Sequence, residues 1–293
     1  ELTTTGAKVL ALYKDGAEVE SAAAGDDVVV VLDKTPFYAE MGGQVGDAGT
    51  LSDDSTLLKV SDTFRIKANV FGHAAHIAEG VLKKGDTLTA SVDTERRNAI
   101  ARNHSVTHIM HKALREVLGM HVAQKGSLVN AAITRFDFSH DKPMTVSEMA
   151  QVEEIVNKEI LANTETLCRE LPIEEAKATG AMMLFGEKYG KTVRVMNIGT
   201  SCELCGGTHV HRTGDIGLFK ILGEAGISAG VRRIEAVTGF NALALAQKET
   251  ALLSGAASRF KAPAEELPEK IDQAVAQIHA LERDLARAKE KLA

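Results

Sequence analysis

The spacing of apolar residues divides the chain into three stretches. Up to residue 92 they come in short runs, such as Val9-Leu10-Ala11-Leu12 and Val28-Val29-Val30-Val31-Leu32, broken by Asp-Gly, Gly-Asp and Gly-Gly pairs. Runs this short between turn residues match strands better than helices. The turn Lys84-Gly85-Asp86, followed by alternating Leu88, Ala90 and Val92, adds one more. Many short strands with frequent turns predict a small β-barrel over residues 1–92.

From Asp93 the spacing changes to steps of three and four. Ile100, Val106, Ile109, Met110, Ala113, Val117 and Leu118 trace a helix over 94–119, with Gly119 as its C-cap. A second helix is expected over about 147–163, with Met149, Val152, Ile155, Val156 and Ile160 on its apolar face. Strands follow around Val193–Met196, Gly217–Leu222 and Val231–Val237, which makes residues 93–239 an α+β core. In the last stretch, 240–293, a helix at about 240–254 precedes Pro263 and Pro268. Beyond them Ile271, Ala274, Ile278, Leu281, Leu285, Ala288 and Leu292 form an a/d seam. The two alanines weaken an isolated coiled coil. Packing against the helix at 240–254 is therefore the expectation, with self-association as the alternative.

Composition narrows the function classes. The 293 residues are 44% hydrophobic and 25% charged, an ordinary globular balance. Aromatics make up only 4% and tryptophan is absent, so the core must be largely aliphatic. A net charge of -6 argues against a broadly basic nucleic-acid surface and leaves only local patches for that role. Three cysteines do not make a disulfide framework, and one close pair fits metal or thiol chemistry in a reducing compartment. No apolar run has the length of a membrane span. The start, Glu1-Leu2-Thr3, is neither an initiator methionine nor a signal peptide, so the sequence reads as a piece of a longer cytoplasmic protein.

The candidate chemistry lies in three segments. In the long helix His104, His108, His111 and Arg115 fall in one stripe, away from the centre of the apolar positions. An i, i+4 histidine pair is half of a zinc site, as in HExxH proteases, but Ser105 stands where their glutamate base would be. The second segment is Ser201-Cys202-Glu203-Leu204-Cys205-Gly206-Gly207-Thr208-His209-Val210-His211. Its glycines let Cys205 and His209 turn toward one ion, completing a four-ligand set with His104 and His108. Cys202 and His211 allow other combinations. Cys168 stands apart and reads as an inert structural thiol. The third segment, Phe37 to Gly49, carries Gly42, Gly43, Gly46 and Gly49 and suits close approach of backbone to a ligand.

Taken in order, Phe-Tyr-x-Glu-x-Gly-Gly-Gln-x-x-Asp-x-Gly, Asn-His-x-x-Thr-His, Cys-Gly-Gly-Thr-His and the closing Gly230–Gly239 run resemble the editing region of alanyl-tRNA synthetases and their free-standing relatives. The resemblance implies an α+β fold: an N-terminal barrel, an editing core with an antiparallel sheet and a long zinc-bearing helix, and a C-terminal helical segment for dimerisation. It implies one zinc ion on His104, His108, Cys205 and His209. Thr107 and Gln124 would shape the amino-acid pocket and orient water and substrate, with Ser127 beside them. Cys202 lies outside the family pattern.

The implied partner is the acceptor end of tRNA(Ala), touched by Gly42, Gly43, Gln44, Arg102, Arg232 and Arg233, with Arg96 and Arg97 as further candidates. The implied reaction is hydrolysis of mischarged Ser-tRNA(Ala) and Gly-tRNA(Ala). The full-length parent ligates alanine to tRNA(Ala) with ATP, an activity this stretch is not expected to carry because the aminoacylation domain is missing from it. With four protein ligands, zinc is expected to position substrate rather than to activate water. The rival reading is a zinc-stabilised module that binds tRNA or dimerises without hydrolysis. A metalloprotease is disfavoured by Ser105, and a release-factor-like hydrolase on Gly42-Gly43-Gln44 leaves the Cys/His set unexplained.

Overall fold

The structure, a computed structural model, describes residues 1–183 and 190–292, the last by its backbone alone. They fall into two compact units, Glu1–Asn241 and Ala242–Ala293.

The first unit opens with nine strands: β1 (Thr3–Lys14), β2 (Ala17–Glu18), β3 (Ser21–Ala23), β4 (Asp27–Leu32), β5 (Gly49–Ser52), β6 (Leu57–Lys67), β7 (Val70–Glu79), β8 (Val81–Lys83) and β9 (Thr87–Val92). Six of them run in the order β1-β4-β7-β6-β5-β9, and β9 pairs back to β1, so the sheet closes into a barrel. Closure leaves no free edge in the ring. Inward positions alternate along the strands, as with Leu88, Ala90 and Val92 of β9, and join Val30, Leu51, Leu58 and Ile77 in one aliphatic core. The expected barrel is present.

Next come α1 (Thr94–Leu118), β10 (Gln124–Val129), β11 (Thr134–Ser139), α2 (Val146–Leu161), β12 (Leu167–Pro172), α3 (Ile173–Ala178), β13 (Thr192–Ile198), β14 (Ser201–Leu204), β15 (Phe219–Ser228) and β16 (Val231–Thr238). Asp93 caps α1 by accepting from the Arg96 backbone N–H at 3.0 Å, and Gly119 ends it at φ 121°. Thr145 and Glu148 form a reciprocal capping box at the start of α2. Four strands make an antiparallel sheet in the order β10-β11-β16-β15, and β12-β13-β14 make a second. Val106, Ile109 and Met110 of α1, Val152 and Val156 of α2, and Phe136, Phe138 and Ile234 of the four-stranded sheet share the main core.

Strands β10, β11, β12 and β14 were not legible from periodicity. β10 reads Gln-Lys-Gly-Ser-Leu-Val and has one fully buried position, so hydrophobic alternation is missing. Gln124 is the first residue of this strand.

The barrel joins the core through the loop before β5. Asp47 is fully buried, accepts from the Tyr38 N–H at 2.6 Å, and pairs with the Arg97 guanidinium of α1. Arg96 donates to the Gly46 carbonyl at 2.7 Å. These two arginines, expected as RNA contacts, clamp the loop.

The second unit comprises most of α4 (Gly239–Arg259) and α5 (Leu267–Leu292). The α5 seam is open to solvent: Ile278 is 54% exposed, Leu281 60% and Leu285 57%. The expected packing of this seam against the preceding helix is not realised, and the Leu292 side chain lies outside the described residues. Among those residues, no helix is long and apolar enough to cross a membrane.

Candidate metal centre

Steps of three and four put His104, Thr107, His108 and His111 on one face of α1. That face is as buried as the aliphatic one, because the Gly-rich barrel loop and the segment from β14 to His209 cover it. Residues 103–111 are all buried. The potential ligand atoms of His104, His108, Cys205 and His209 lie within 4.8 Å of one another. Cys205 Sγ is 3.4 Å from His104 Nε2 and 3.3 Å from His209 Nε2. A tetrahedral zinc with ordinary Zn–N and Zn–S bonds places its ligand atoms about 3.5 Å apart. The cluster matches that spacing.

Each imidazole is held from behind. His104 Nδ1 meets Gln44 Oε1 at 2.6 Å, and the same oxygen accepts from the Thr208 N–H at 2.9 Å. His108 Nδ1 donates to Glu203 Oε2 at 2.7 Å. His209 Nδ1 shares a 3.2 Å hydrogen bond with Ser105 Oγ, which also accepts from the Val210 N–H. Three different outer partners thus occupy the Nδ1 atoms and leave every Nε2 for one ion. His108 Nε2 is buried without a hydrogen-bond partner among the described residues. An orphaned buried nitrogen is costly in an empty protein and is satisfied by a metal ion. The residues present fit zinc.

The electrostatics suit a cation. Burial alone would raise the Cys205 thiol, but His104 and His108 pull it well below the usual thiol range. Burial likewise opposes ionisation of Glu203, yet His108 and His111 hold its pKa at about 2. For His108 the Glu203 carboxylate and the Cys205 sulfur outweigh burial and raise the imidazole well above its ordinary value. His209, pushed down first by burial and then by His104, drops to about 3 and stays neutral. A thiolate and a carboxylate offset the charge of an incoming divalent ion.

Glycines make the close approach possible. A Cβ on Gly207 would lie 2.0 Å from His104 Cε1, so only glycine lets the loop pass over that ring. Gly43, at φ 86°, abuts the Ser127 carbonyl, where a Cβ would sit 2.4 Å away. Arg194 braces the metal loop by donating to the Gly206 and Gly207 carbonyls at 3.0 and 3.1 Å.

The other expected residues divide. Cys202 packs into the small core with Ala176, Val193 and Val195, and His211 is exposed; neither belongs to the cluster. Cys168 is exposed on β12, 3.4 Å from Arg194 Nε, and is not the packed thiol expected. Thr107 lies at the site, donating to the Asn103 carbonyl at 2.7 Å and sharing a 2.6 Å bond with Thr134 Oγ1. Gln124, Ser127 and Gly42 line the same cavity, of about 370 Å³, beside His104, His108 and Cys205. Gln44, expected at the substrate, is fully buried behind His104.

Arg102 borders a separate hollow with Arg96, Thr238 and Phe240. Arg232 and Arg233 are spent on ion pairs with Glu224 and Asp137 of their own sheet. Glu203, and Ser105 as a hydrogen-bond partner, were not identified from sequence; His111 was identified only as a member of the α1 histidine stripe. The available signal for Glu203 was its place two residues before Cys205 in a short strand.

Gln44→Ala and Glu203→Ala are each expected to lower zinc affinity about 10- to 100-fold while the fold persists, the usual cost of removing such an outer partner. Competition against a chromophoric chelator measures this. Unchanged affinity in both variants would show that the imidazoles orient themselves.

The comparisons with known proteins agree with this architecture. Residues 193–235 match the family described as threonyl and alanyl tRNA synthetase second additional domain. Residues 1–96 match tRNA synthetases class II (A). The barrel stretch and part of the core, with Cys205 and His209, are thus similar to parts of tRNA synthetases. Across 287 residues, 98% of the chain, it is 61% identical to the alanine–tRNA ligase of Delftia acidovorans and covers 33% of that protein. Against the alanine–tRNA ligase of Methylibium petroleiphilum the identity is 58% over 292 residues, 100% of the chain and 33% of the relative. That of Bordetella avium is also 58% identical, over 293 residues, with 34% of its length covered. The chain is a relative of the alanyl-tRNA synthetases, spanning about a third of the length of the curated relatives it matches.

Proposed function

We propose that the chain is the editing portion of an alanyl-tRNA synthetase, hydrolysing the ester of Ser-tRNA(Ala) and Gly-tRNA(Ala) in the cytoplasm. The observation that carries this reading is the four-ligand Cys/His centre opening onto a 370 Å³ cavity whose wall includes Thr107, Gln124 and Ser127. A pocket built for alanine cannot exclude glycine, and it rejects serine only weakly, because serine adds a single hydroxyl. A second site that cleaves the wrong ester supplies the missing discrimination.

His104, His108, Cys205 and His209 would hold zinc, which when bound supplies a positive centre for positioning the aminoacyl group. The chain's own groups do the rest. Thr107 lines the cavity and is fixed by Asn103 and Thr134, so its place on the wall is constant. Gln124 and Ser127 supply an amide and a hydroxyl on the facing strand. Between them they orient the ester carbonyl and the attacking water; water adds, and the ribose hydroxyl of the tRNA end leaves with the proton. The exposed α5 seam supports pairing of the C-terminal helices of two chains.

Incubating the chain with Ser-tRNA(Ala) is expected to release serine, and prior removal of zinc by a chelator is expected to abolish release until zinc is restored. Binding of the tRNA without serine release would favour the non-hydrolytic binding module.

A further inference from the structure

A second hollow, of about 270 Å³, lies apart from the metal cavity and shares no residue with it. Its wall combines Ala99 and Arg102 of α1, Ala131 in the turn between β10 and β11, and Phe240 and Asn241 at the start of α4. All of these belong to the first unit. Asn241 ties the parts together, its amide donating to the Ala131 and Ala132 carbonyls at 3.1 and 3.2 Å.

Two groups in this hollow have no work in the fold. Arg102 is half-buried, yet its guanidinium makes no hydrogen bond or ion pair among the described residues. Arg96, Arg97, Arg232 and Arg233, by contrast, are each spent on a carbonyl or carboxylate of the chain. Glu95 stands on the rim, exposed and not paired with Arg102. Phe240 is 81% exposed, whereas the next most exposed phenylalanine among the described residues, Phe260, is at 39%. A lone exposed apolar side chain is ordinary. An aromatic ring and an unpaired guanidinium on one hollow are different, because together they suit single-stranded nucleic acid: the cation takes a phosphate and the ring a base.

We infer that Arg102 and Phe240 form a subsite for an unpaired nucleotide upstream of the tRNA end, Arg102 meeting its phosphate and Phe240 stacking on its base. The inference rests on the editing reading above and adds where the RNA strand is gripped. Arg102 precedes His104 by two residues, which turns it about 160° around a helix about 10–12 Å thick. The hollow is therefore on the far flank of α1 from the Cys/His centre. The β10–β11 hairpin runs from one to the other, with Gln124 and Ser127 on the cavity wall and Ala131 on the rim of the hollow. A strand whose last nucleotide enters the cavity crosses that span within a few nucleotides, while still unpaired.

The test uses the whole chain loaded with zinc. Binding of uncharged tRNA(Ala), followed by fluorescence anisotropy, needs no hydrolysis. Phe240→Ala is expected to weaken it about 5- to 100-fold, the loss set by one base–aromatic stack, and Phe240→Trp to restore it. Arg102→Gln is expected to reduce the slope of log affinity against log salt by about 0.7, one phosphate contact on a single strand. In both Phe240→Ala and Arg102→Gln the ratio of kcat/KM for Ser-tRNA(Ala) to that for 3′-O-seryl-adenosine, which ends short of the hollow, falls by the same factor as the affinity. Unchanged tRNA affinity in both variants would overturn the inference and leave the hollow to a protein neighbour. Equal loss on the two substrates would overturn it as well, giving the pair a structural role. Binding that responds as expected, without hydrolysis by the unaltered chain, would instead defeat the editing reading and leave the subsite standing.

Discussion

Gly207→Ala is expected to lose its metal centre, although glycine to alanine is the smallest side-chain addition available. The new Cβ would sit 2.0 Å from His104 Cε1, 2.2 Å from Nδ1 and 2.9 Å from Gln44 Oε1. None of these can yield alone. The ring is fixed on one side by Gln44, itself buried and bonded to Thr208, and on the other by Cys205. Relief requires the imidazole to swing out, which removes a ligand and breaks its hydrogen bond together. Zinc affinity should fall by about two orders of magnitude or more, equivalent to about 3 kcal/mol. Overpacking adds about 1–3 kcal/mol of destabilisation to the zinc-free protein, a fall in Tm of about 2–4 °C per kcal/mol for a chain of this size. Elemental analysis after gel filtration and thermal unfolding of the stripped protein read the two effects. Gly206→Ala is the matched control, since its Cβ would meet only the mobile end of Met41, at 2.9 Å. Stoichiometric zinc and an unshifted Tm in Gly207→Ala would show that the loop does not ride on His104.

Cys205→Ala should have a similarly large effect, and Cys202→Ala almost none. Structural zinc sites bind with roughly 10–16 kcal/mol shared among four ligands. Losing the thiolate therefore removes about 3 kcal/mol, a hundredfold or more in affinity. Cys202 points into a different core, and truncating a half-buried thiol there should cost under about 1 kcal/mol. Zinc titration of both variants separates the two thiols. Equal losses would mean that Cys202 also contacts the ion.

The four residues of the Cys/His cluster were readable from sequence because each pair is local: four residues apart on a helix, or four apart across two glycines. The partners that orient them were not. Gln44, Glu203 and Ser105 lie 60, 95 and 104 positions from the imidazoles they hold, and no periodicity encodes such distances. The barrel was legible because its strands alternate or run apolar between turns, whereas β10 is polar along most of its length and showed no pattern. The arginines have partners that the sequence did not reveal. Arg96, Arg97, Arg232 and Arg233 all read as candidates for phosphate, yet each is occupied by a carbonyl or carboxylate of the same chain. A guanidinium fork serves a buried carboxylate as readily as a phosphate, and sequence alone does not distinguish the two.

The Gly-rich loop gives the barrel a part in shaping the Cys/His cluster that its distance in sequence conceals. Gln44 behind His104 and Asp47 beneath Arg97 mean that a version trimmed to begin at α1 would retain all four metal ligands but lose the wedge that keeps one of them turned inward. The smallest autonomous piece able to grip its ion tightly is therefore larger than the stretch from His104 to His209, and residues 1–92 are not a detachable accessory.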